Sequence, residues 1–407
     1  MPNKIIITGA SGYIGRQLVP RLLSDGYQLH LVSRDARTLS HLSSDRVSVS
    51  NFTGLDATEA YDAIVHLAAR NNDQPGTRED FLTDNVGLAK ALVSFATQLK
   101  IPQIVHLSTL HAHPFYGEKK SPYAQSKAAA EAVFDDAAGV SVHHLRLAAV
   151  YGVENKGRLA ILNRVPTFLK GSVLNILKCV KPAVSAHNVV DRIAGCLQER
   201  VQSIPRTEIL ADDQSANPVY TWSSRIIDLI IAGSILVLLF WLLLIVWAVV
   251  KLESSGPCIF AQKRVGRNKR PFVLYKFRTM DAGTPQTGTH EASVSAVTRT
   301  WNFLRKTKID ELPQAINVLL NQMSFVGPRP CLFNQTELVS ERAARQVFSI
   351  KGGITGLAQI QNIDMSTPQA LAIVDRDYIA LRTVLLDVKL LIMTALGKGQ
   401  GDKIKPT

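Results

Sequence analysis

The 407-residue sequence is poor in cysteine and in charge. Its four cysteines (Cys179, Cys196, Cys258, Cys331) lie far apart and form no Cys-x-x-Cys pair. That excludes a disulfide scaffold and a zinc finger, and suits a reducing compartment. Charged residues make up only 19% and hydrophobic ones 46%, which excludes a disordered or low-complexity chain. No internal repeat is visible. The chain opens with three isoleucines that run straight into glycines, too short an apolar core for a secretory signal. What remains has the length of two domains and a lopsided charge. Residues 1–215 carry 23 Lys+Arg against 20 Asp+Glu, and residues 216–407 carry 23 against 13. The basic excess lies in the second half, whose partner should be anionic: nucleic acid, a phospholipid surface or a phosphorylated substrate.

Leu229 to Val250 contains no charge over 22 residues, enough for a helix to cross a hydrocarbon core of about 30 Å. A soluble core seldom accepts such a helix with no polar face. Around it the chain divides into residues 1–215, a linker at 216–223, a membrane helix at 224–251 and a basic region at 252–407. The first part alternates short apolar runs with amphipathic stretches, the pattern of an α/β domain. Strands are predicted at 4–8, 28–33, 63–67, 103–108 and 141–147, and helices at 14–23 and 122–135.

The first predicted strand runs directly into Gly9-Ala-Ser-Gly12-Tyr-Ile-Gly15. Glycines at this spacing allow a tight turn, a close backbone approach and a helix N-terminus that offers free N–H groups to a pyrophosphate. The second strand ends at Ser33-Arg34-Asp35, with Arg37 close by. Ser33, Arg34 and Arg37 suit a 2′-phosphate and so NADP(H), while Asp35 keeps NAD open. Tyr123 and Lys127 stand at i and i+4 on one helix face. A lysine ammonium beside a phenol lowers its pKa, which lets tyrosine exchange a proton with a sugar carbonyl or hydroxyl. Ser108-Thr109 supplies a hydroxyl at the end of the preceding strand.

Together with His66-Leu-Ala68-Ala69, Asn85 and the run Leu145 to Gly152, these motifs resemble the extended short-chain dehydrogenase/reductase family of nucleotide-sugar epimerases, dehydratases and reductases. The resemblance covers about residues 1–210 and implies a doubly wound parallel Rossmann sheet. It also implies a catalytic set of Thr109, Tyr123 and Lys127, with cofactor contacts at Gly9, Gly12, Gly15 and Ala68. Three departures stand out: Leu147 replaces the usual proline, Leu110-His111 replaces the acidic pair of dehydratases, and the substrate lobe is short.

The second half is dense in phosphate-binding residue types. Lys276 and Arg278 follow a basic cluster, Arg305 precedes the adjacent carboxylates Asp310-Glu311, and Gly327-Pro-Arg329-Pro holds an arginine in a rigid turn. Paired carboxylates among arginines suggest a divalent cation and a diphosphate. In order, Lys251 to Pro257, Gln262 to Arg267, Tyr275 to Met280, Lys308 to Gln314, Met323 to Pro330 and Gly353 to Leu357 resemble the bacterial sugar transferase family, the monotopic polyprenyl-phosphate phosphoglycosyl transferases. That resemblance implies a small, mostly helical α/β domain and a re-entrant membrane helix. It implies Asp310 as nucleophile, Glu311 and Asp310 as Mg²⁺ ligands, and Arg305, Arg329, Lys276 and Arg278 as phosphate-binding residues. Family members break the re-entrant helix with Ser-Pro, whereas Phe240-Trp241 stands there here and the nearest kink candidate is Gly233-Ser234.

The combined expectation is a bifunctional enzyme of the bacterial inner membrane with both sites facing the cytoplasm. One domain would act on a UDP-sugar, as an NAD(P)H-dependent 4-reductase, a 4-epimerase or a non-catalytic sensor. The other would move sugar phosphate onto polyprenyl (undecaprenyl) phosphate. Expected partners are UDP-sugar, polyprenyl phosphate and membrane lipid, without nucleic acid; both a monomer and a homodimer stay open.

Overall fold

The computed structural model describes residues 4–55, 58–71, 73–115, 121–153, 155, 157–199, 206–253, 256–279, 303–305 and 307–399. Ser255 and Met280, within two of the expected motifs, lie outside the described residues. The chain forms two compact units, Met1–Lys170 with Pro182–Asp212, and Gly171–Lys181 with Asp213–Thr407.

The first unit is built on a seven-stranded sheet. Its strands are β1 (Lys4–Thr8), β2 (Gln28–Val32), β3 (Val47–Ser50), β4 (Ala63–His66), β5 (Gln103–Thr109), β6 (Ser141–Leu147) and β9 (Arg206–Leu210), in the order β3-β2-β1-β4-β5-β6-β9. Every neighbouring pair is parallel. β7 (Ala149–Tyr151) and β8 (Ala183–Ser185) form a separate parallel pair. The central strands read as unbroken apolar runs because helices cover both faces; Ile5, Ile6, Ile7, Ile64 and Val65 are fully buried. Helix α1 (Gly15–Ser24) follows β1, and α4 (Pro122–Asp135) starts on Pro122, whose missing N–H costs nothing in a first turn. The strand order reverses between β1 and β4, which leaves a crevice at their carboxyl ends. β3 and β9 had no counterpart in the expected pattern: β3 is four residues with one buried side chain, and β9 is a polar edge strand.

In the second unit the expected linker is the start of a helix. Asn217 accepts hydrogen bonds from the backbone N–H groups of Val219 (3.1 Å) and Tyr220 (3.4 Å), and Pro218 takes the first helical position. This cap-plus-proline start signal carries 218–223 into α7 (Pro218–Leu238). α7 passes through Gly233-Ser234 unbroken, stops at Leu239, and α8 (Phe240–Glu253) follows. The break falls beside Phe240-Trp241, with no proline or glycine there. By length and composition α7 can cross a membrane, and 11% of its most apolar window is buried. Trp222, Ile230, Leu238, Trp241, Leu244 and Trp247 are exposed along the two helices. Asp228 is the polar exception. Its carboxylate accepts from Phe325 N–H (2.9 Å) and the Ser324 hydroxyl (3.0 Å), while Arg225 donates to the carbonyls of Val318 (2.7 Å) and Leu319 (3.0 Å).

The rest of this unit holds an antiparallel hairpin, β10 (Ile259–Val265) with β11 (Pro271–Phe277), and a parallel pair, β12 (Met323–Val326) with β13 (Gly352–Thr355). Two helices, Pro368–Leu381 and Val384–Ala395, close the unit, with Leu386 and Leu390 buried and Leu385, Ile392 and Leu396 exposed. Asp387 is buried between the hydroxyls of Tyr220 (2.7 Å) and Tyr378 (2.8 Å).

Candidate active sites

At the carboxyl ends of β1 and β4 lies a cavity of about 970 Å³. It is lined by Gly9, Gly12, Gly15, Ser33, Arg34, Ala68, Thr109, Tyr123 and Lys127, so one space gathers the glycine turn and the expected catalytic set. Gly9 adopts φ +78°, and a Cβ there would lie 2.6 Å from the backbone N of Ala68. A Cβ on Gly15 would lie 2.5 Å from the Gly9 carbonyl oxygen. The turn thus closes only with glycine at both positions, leaving the N-terminus of α1 open to the cavity. This shape and its backbone donors fit a dinucleotide.

Arg37 is the expected cofactor residue that the structure does not bring in. Asp35 caps the short helical turn Ala36–Leu42 by accepting from Arg37 N–H, and the Arg37 guanidinium folds back onto the same carboxylate (3.0 Å). Neither residue lines the cavity. Ser33 and Arg34 are left at the tip of β2.

The Tyr123 phenol is shifted opposite to the sequence expectation. Burial raises its pKa, with a hydrogen bond to Thr109 offsetting part. The Lys127 ammonium donates to the Leu107 carbonyl (2.7 Å) and meets His106 Nε2 (3.0 Å). Burial brings Lys127 down to about 8. Asn85 ties the loops beneath, accepting from Arg70 N–H (2.8 Å) and donating to Ser126 Oγ (2.8 Å).

The second site centres on the turn Ile309–Glu311, entered through Lys308 at φ 56°. Asp310 and Glu311 are both buried. Glu311 Oε1 accepts from Arg329 Nη2 at 2.7 Å, while its Oε2 is buried with no hydrogen-bond partner. Burial and the Glu311 charge raise Asp310 to about 7, opposed by Lys276, Arg305 and Arg329. For Glu311 burial acts upward, but Arg329, Lys308 and Lys276 together hold the carboxyl below its usual range. Lys276 is brought down to about 8, first by burial and then by Arg264. Arg305 is oriented by Thr279 Oγ1 (3.0 Å). Arg329 is held from behind, its carbonyl accepting from Arg342 Nη1 (2.8 Å), and Arg342 is in turn paired with buried Asp375 (2.7 Å). The Arg278 guanidinium lies against Gly256, where a Cβ would stand 2.5 Å from Nη1.

Sequence reasoning placed Arg264 only in the basic cluster after the membrane helix and missed Lys308 and Gln314. Arg264 and Gln314 line a small crevice with Lys276 and Arg329, and Lys308 faces the acidic pair. All three sat inside quoted motifs, but only the fold shows that their side chains converge. Among the described residues no group of three His, Cys, Asp or Glu forms a metal cage. Two adjacent buried carboxylates with one unsatisfied oxygen still suit a cation that also takes oxygen from a substrate.

A dinucleotide-shaped cavity in one unit and a cation-ringed carboxylate pair in the other form two candidate sites. Residues 219–398 match the bacterial sugar transferase family, and residues 5–180 match the NAD dependent epimerase/dehydratase family. An uncharacterized sugar transferase of Bacillus subtilis is 38% identical over 170 residues, 42% of this chain and 84% of that one. A UDP-glucose:undecaprenyl-phosphate glucose-1-phosphate transferase of Klebsiella pneumoniae is 33% identical over 207 residues, 48% of this chain and 44% of that one. The chain thus spans less than half the length of the latter. The first unit overlays a UDP-N-acetylglucosamine 4-epimerase from Bacillus cereus with TM-score 0.39 and 22% identity, covering 52% of this chain and 78% of that one. The chain belongs to the bacterial sugar transferase family, with an NAD-dependent epimerase/dehydratase domain at its N-terminus.

Proposed function

We propose that the second unit transfers sugar 1-phosphate from a UDP-sugar to undecaprenyl phosphate, and that the first unit prepares that UDP-sugar. The observation carrying the transferase reading is the buried Asp310–Glu311 pair facing Lys276, Lys308, Arg305 and Arg329. Asp310 Oδ attacks the sugar-side phosphorus of the UDP-sugar, the phosphoanhydride bond breaks and UMP leaves. The lipid phosphate then attacks the aspartyl phosphosugar and frees Asp310. Arg305, Arg329 and Lys276 hold the phosphate oxygens as charge builds. Asp310 and Glu311 would hold Mg²⁺, which when bound neutralises the diphosphate. The break at Leu239 supports a re-entrant α7–α8 at the bacterial inner membrane, with both units on the cytoplasmic side where nucleotide-sugars and nicotinamides are. Asp310→Asn should abolish UMP release; a variant that turns over normally refutes the nucleophile assignment.

For the first unit the reading is 4-reduction of a UDP-4-keto-6-deoxy-N-acetylhexosamine with NADPH. Supporting it are Ser33 and Arg34 in the cavity lining, Asp35 diverted to Arg37, and Leu110-His111 where dehydratases carry acids. The nicotinamide, when bound, supplies hydride. Thr109 orients the keto oxygen, Tyr123 gives it a proton and Lys127 restores that proton. NADPH oxidation and UMP release, followed together on the full-length chain with the keto sugar, Mg²⁺ and undecaprenyl phosphate, test both halves. UMP release that depends on NADPH consumption supports the relay of sugar between sites. UMP release from a UDP-sugar without NADPH consumption replaces the reductase with a 4-epimerase or a sensor, and Tyr123→Phe with unchanged sugar chemistry selects the sensor.

A further inference from the structure

The basic charge of the first half is concentrated in one stretch. Residues 155–190 hold six Lys and Arg (Lys156, Arg158, Arg164, Lys170, Lys178, Lys181) and no Asp or Glu, which leaves 17 basic against 20 acidic residues in the rest of 1–215. Within that stretch helix α5 (Thr167–Val180) carries Leu169, Val173, Ile176 and Val180. Spacings of four, three and four residues put these side chains on one stripe along the helix. Such a stripe ordinarily faces a core. Here Leu169, Ile176 and Val180 are 43–53% exposed, and Phe168 at the helix start is more exposed still.

A different side of α5, formed by Asn175 and Cys179 one turn apart, is already occupied. Asn217 Nδ2 reaches the Asn175 carbonyl and the buried Cys179 Sγ (3.5 Å), and Gln214 Nε2 donates to the Lys178 carbonyl. Asn217 is the cap of α7, so α5 is seated where the apolar helix begins. Five residues on, about 7.5 Å along the axis of α7, Trp222 is exposed, and Ile226 and Ile230 follow it on the same side. Tryptophan favours the level of the lipid headgroups. We infer that α5 lies along the cytoplasmic membrane surface, with Phe168 and the stripe in the boundary between headgroups and acyl chains and Lys170 and Lys181 against anionic phospholipid.

The inference rests on the reading of α7 and α8 as membrane-embedded and adds a contact outside it. Residues 167–180 precede the stretch that matches the sugar transferase family, 219–398, and fall within the epimerase/dehydratase match, 5–180. Two observations select lipid over a protein partner. The run is basic throughout with no acid to pair across an interface, which complements a uniformly anionic surface. The stripe also continues, at the cap of α7, an apolar surface that already belongs to the membrane helix. An amphipathic helix holds to a bilayer by sinking its apolar face about 5–10 Å below the headgroups while its cations stay at their level. Lys170 and Lys181 directly follow Leu169 and Val180, so each end of the stripe carries a cation on a stem long enough to reach that level.

The test places one surface cysteine in the full-length chain, Ile176→Cys, Val180→Cys or, on α7, Ile230→Cys, and labels it with an environment-sensitive fluorophore; the four native cysteines are buried. The labelled chain is reconstituted into phosphatidylcholine/phosphatidylglycerol vesicles and quenched by nitroxide-bearing lipid or by iodide in the water. Lipid nitroxide should quench the labels at Ile176 and Val180 at least about half as strongly as the label at Ile230. Lys170→Gln/Lys181→Gln, or vesicles of phosphatidylcholine alone, should lower the quenching at Ile176 about twofold. Quenching at Ile230 without quenching at Ile176 and Val180 overturns the inference and leaves the embedded α7 standing. In that case iodide separates a stripe open to water from one covered by protein, such as a second copy of the chain. Equal quenching at Ile176 in both lipid mixtures overturns the anionic preference. No quenching at Ile230 refutes the embedded α7 instead, and α5 is then judged by Ile176 and Val180 alone.

Discussion

Removing Asp375 should cost the second unit far more than removing Asp375 and Arg342 together. Arg342 is 1% exposed and Asp375 2%, and they pair through Nε at 2.9 Å and Nη2 at 2.7 Å. Asp375→Leu leaves a guanidinium buried without its counter-charge, a loss of roughly 3–5 kcal/mol. At about 2–4 °C per kcal/mol for a unit of this size, the melting temperature should fall by roughly 6–20 °C. The double variant Arg342→Met/Asp375→Leu replaces the pair with apolar volume and should come close to wild type. The readout is clean because the first unit's sequence holds no tryptophan, while Trp222, Trp241 and Trp247 lie in the second unit, so intrinsic fluorescence does not report unfolding of the first. Activity should separate from stability. The Arg329 carbonyl loses its Arg342 donor only in the double variant, which should release UMP slowly although stable. A single variant losing under about 1 kcal/mol, or a double variant as unstable as the single one, would refute this reasoning.

Three further outcomes are expected. Gly9→Ala forces a left-handed backbone and a 2.6 Å approach to Ala68 N; strain and overpacking together cost about 2–5 kcal/mol, and NADPH fluorescence titration should show binding lost. Arg34→Ala should raise KM for NADPH by about tenfold, the weight of one charge-assisted hydrogen bond, and leave KM for NADH unchanged; equal effects on both would remove the 2′-phosphate contact. Burial raises the Asp387 carboxyl to about 7 despite the hydroxyls of Tyr220 and Tyr378. A carboxyl raised in the folded state favours folding while protonated, so tryptophan-detected stability should decline as pH climbs from about 4 to about 7. Asp387→Asn should flatten that slope.

The elements that carry the chemistry were legible because each combines two independent signals. β1 is an apolar run that stops at a glycine turn, and α4 starts on proline and repeats small residues; both fall within a residue or so of their expected bounds. The helix start at Asn217-Pro218 carries a cap and a proline, but an asparagine beside a proline also marks turns, so these two residues alone do not separate a helix start from a linker. Residue types and spacing pointed to Thr109, Tyr123, Asp310 and Glu311; the first two line one cavity, and the acidic pair is buried beside Arg329. What a sequence does not carry is direction. Arg37 turns to Asp35 because its own helical turn is capped there, and the Lys127 ammonium meets a histidine of β5 that only the fold places beside it.

The chain passes between its two units three times, at Lys170–Gly171, Lys181–Pro182 and Asp212–Asp213. The excursion Gly171–Lys181 serves the second unit: Asn217 Nδ2 donates to the Asn175 carbonyl at 2.9 Å, and Gln214 Nε2 to that of Lys178 at 2.7 Å. The start of the apolar helix is therefore seated on a piece of chain borrowed from within the first half. No single cut severs the two activities into self-sufficient parts. Splitting the gene at residue 215 would strip the transferase of its helix seat, so separation calls for point substitutions at each site in the undivided protein.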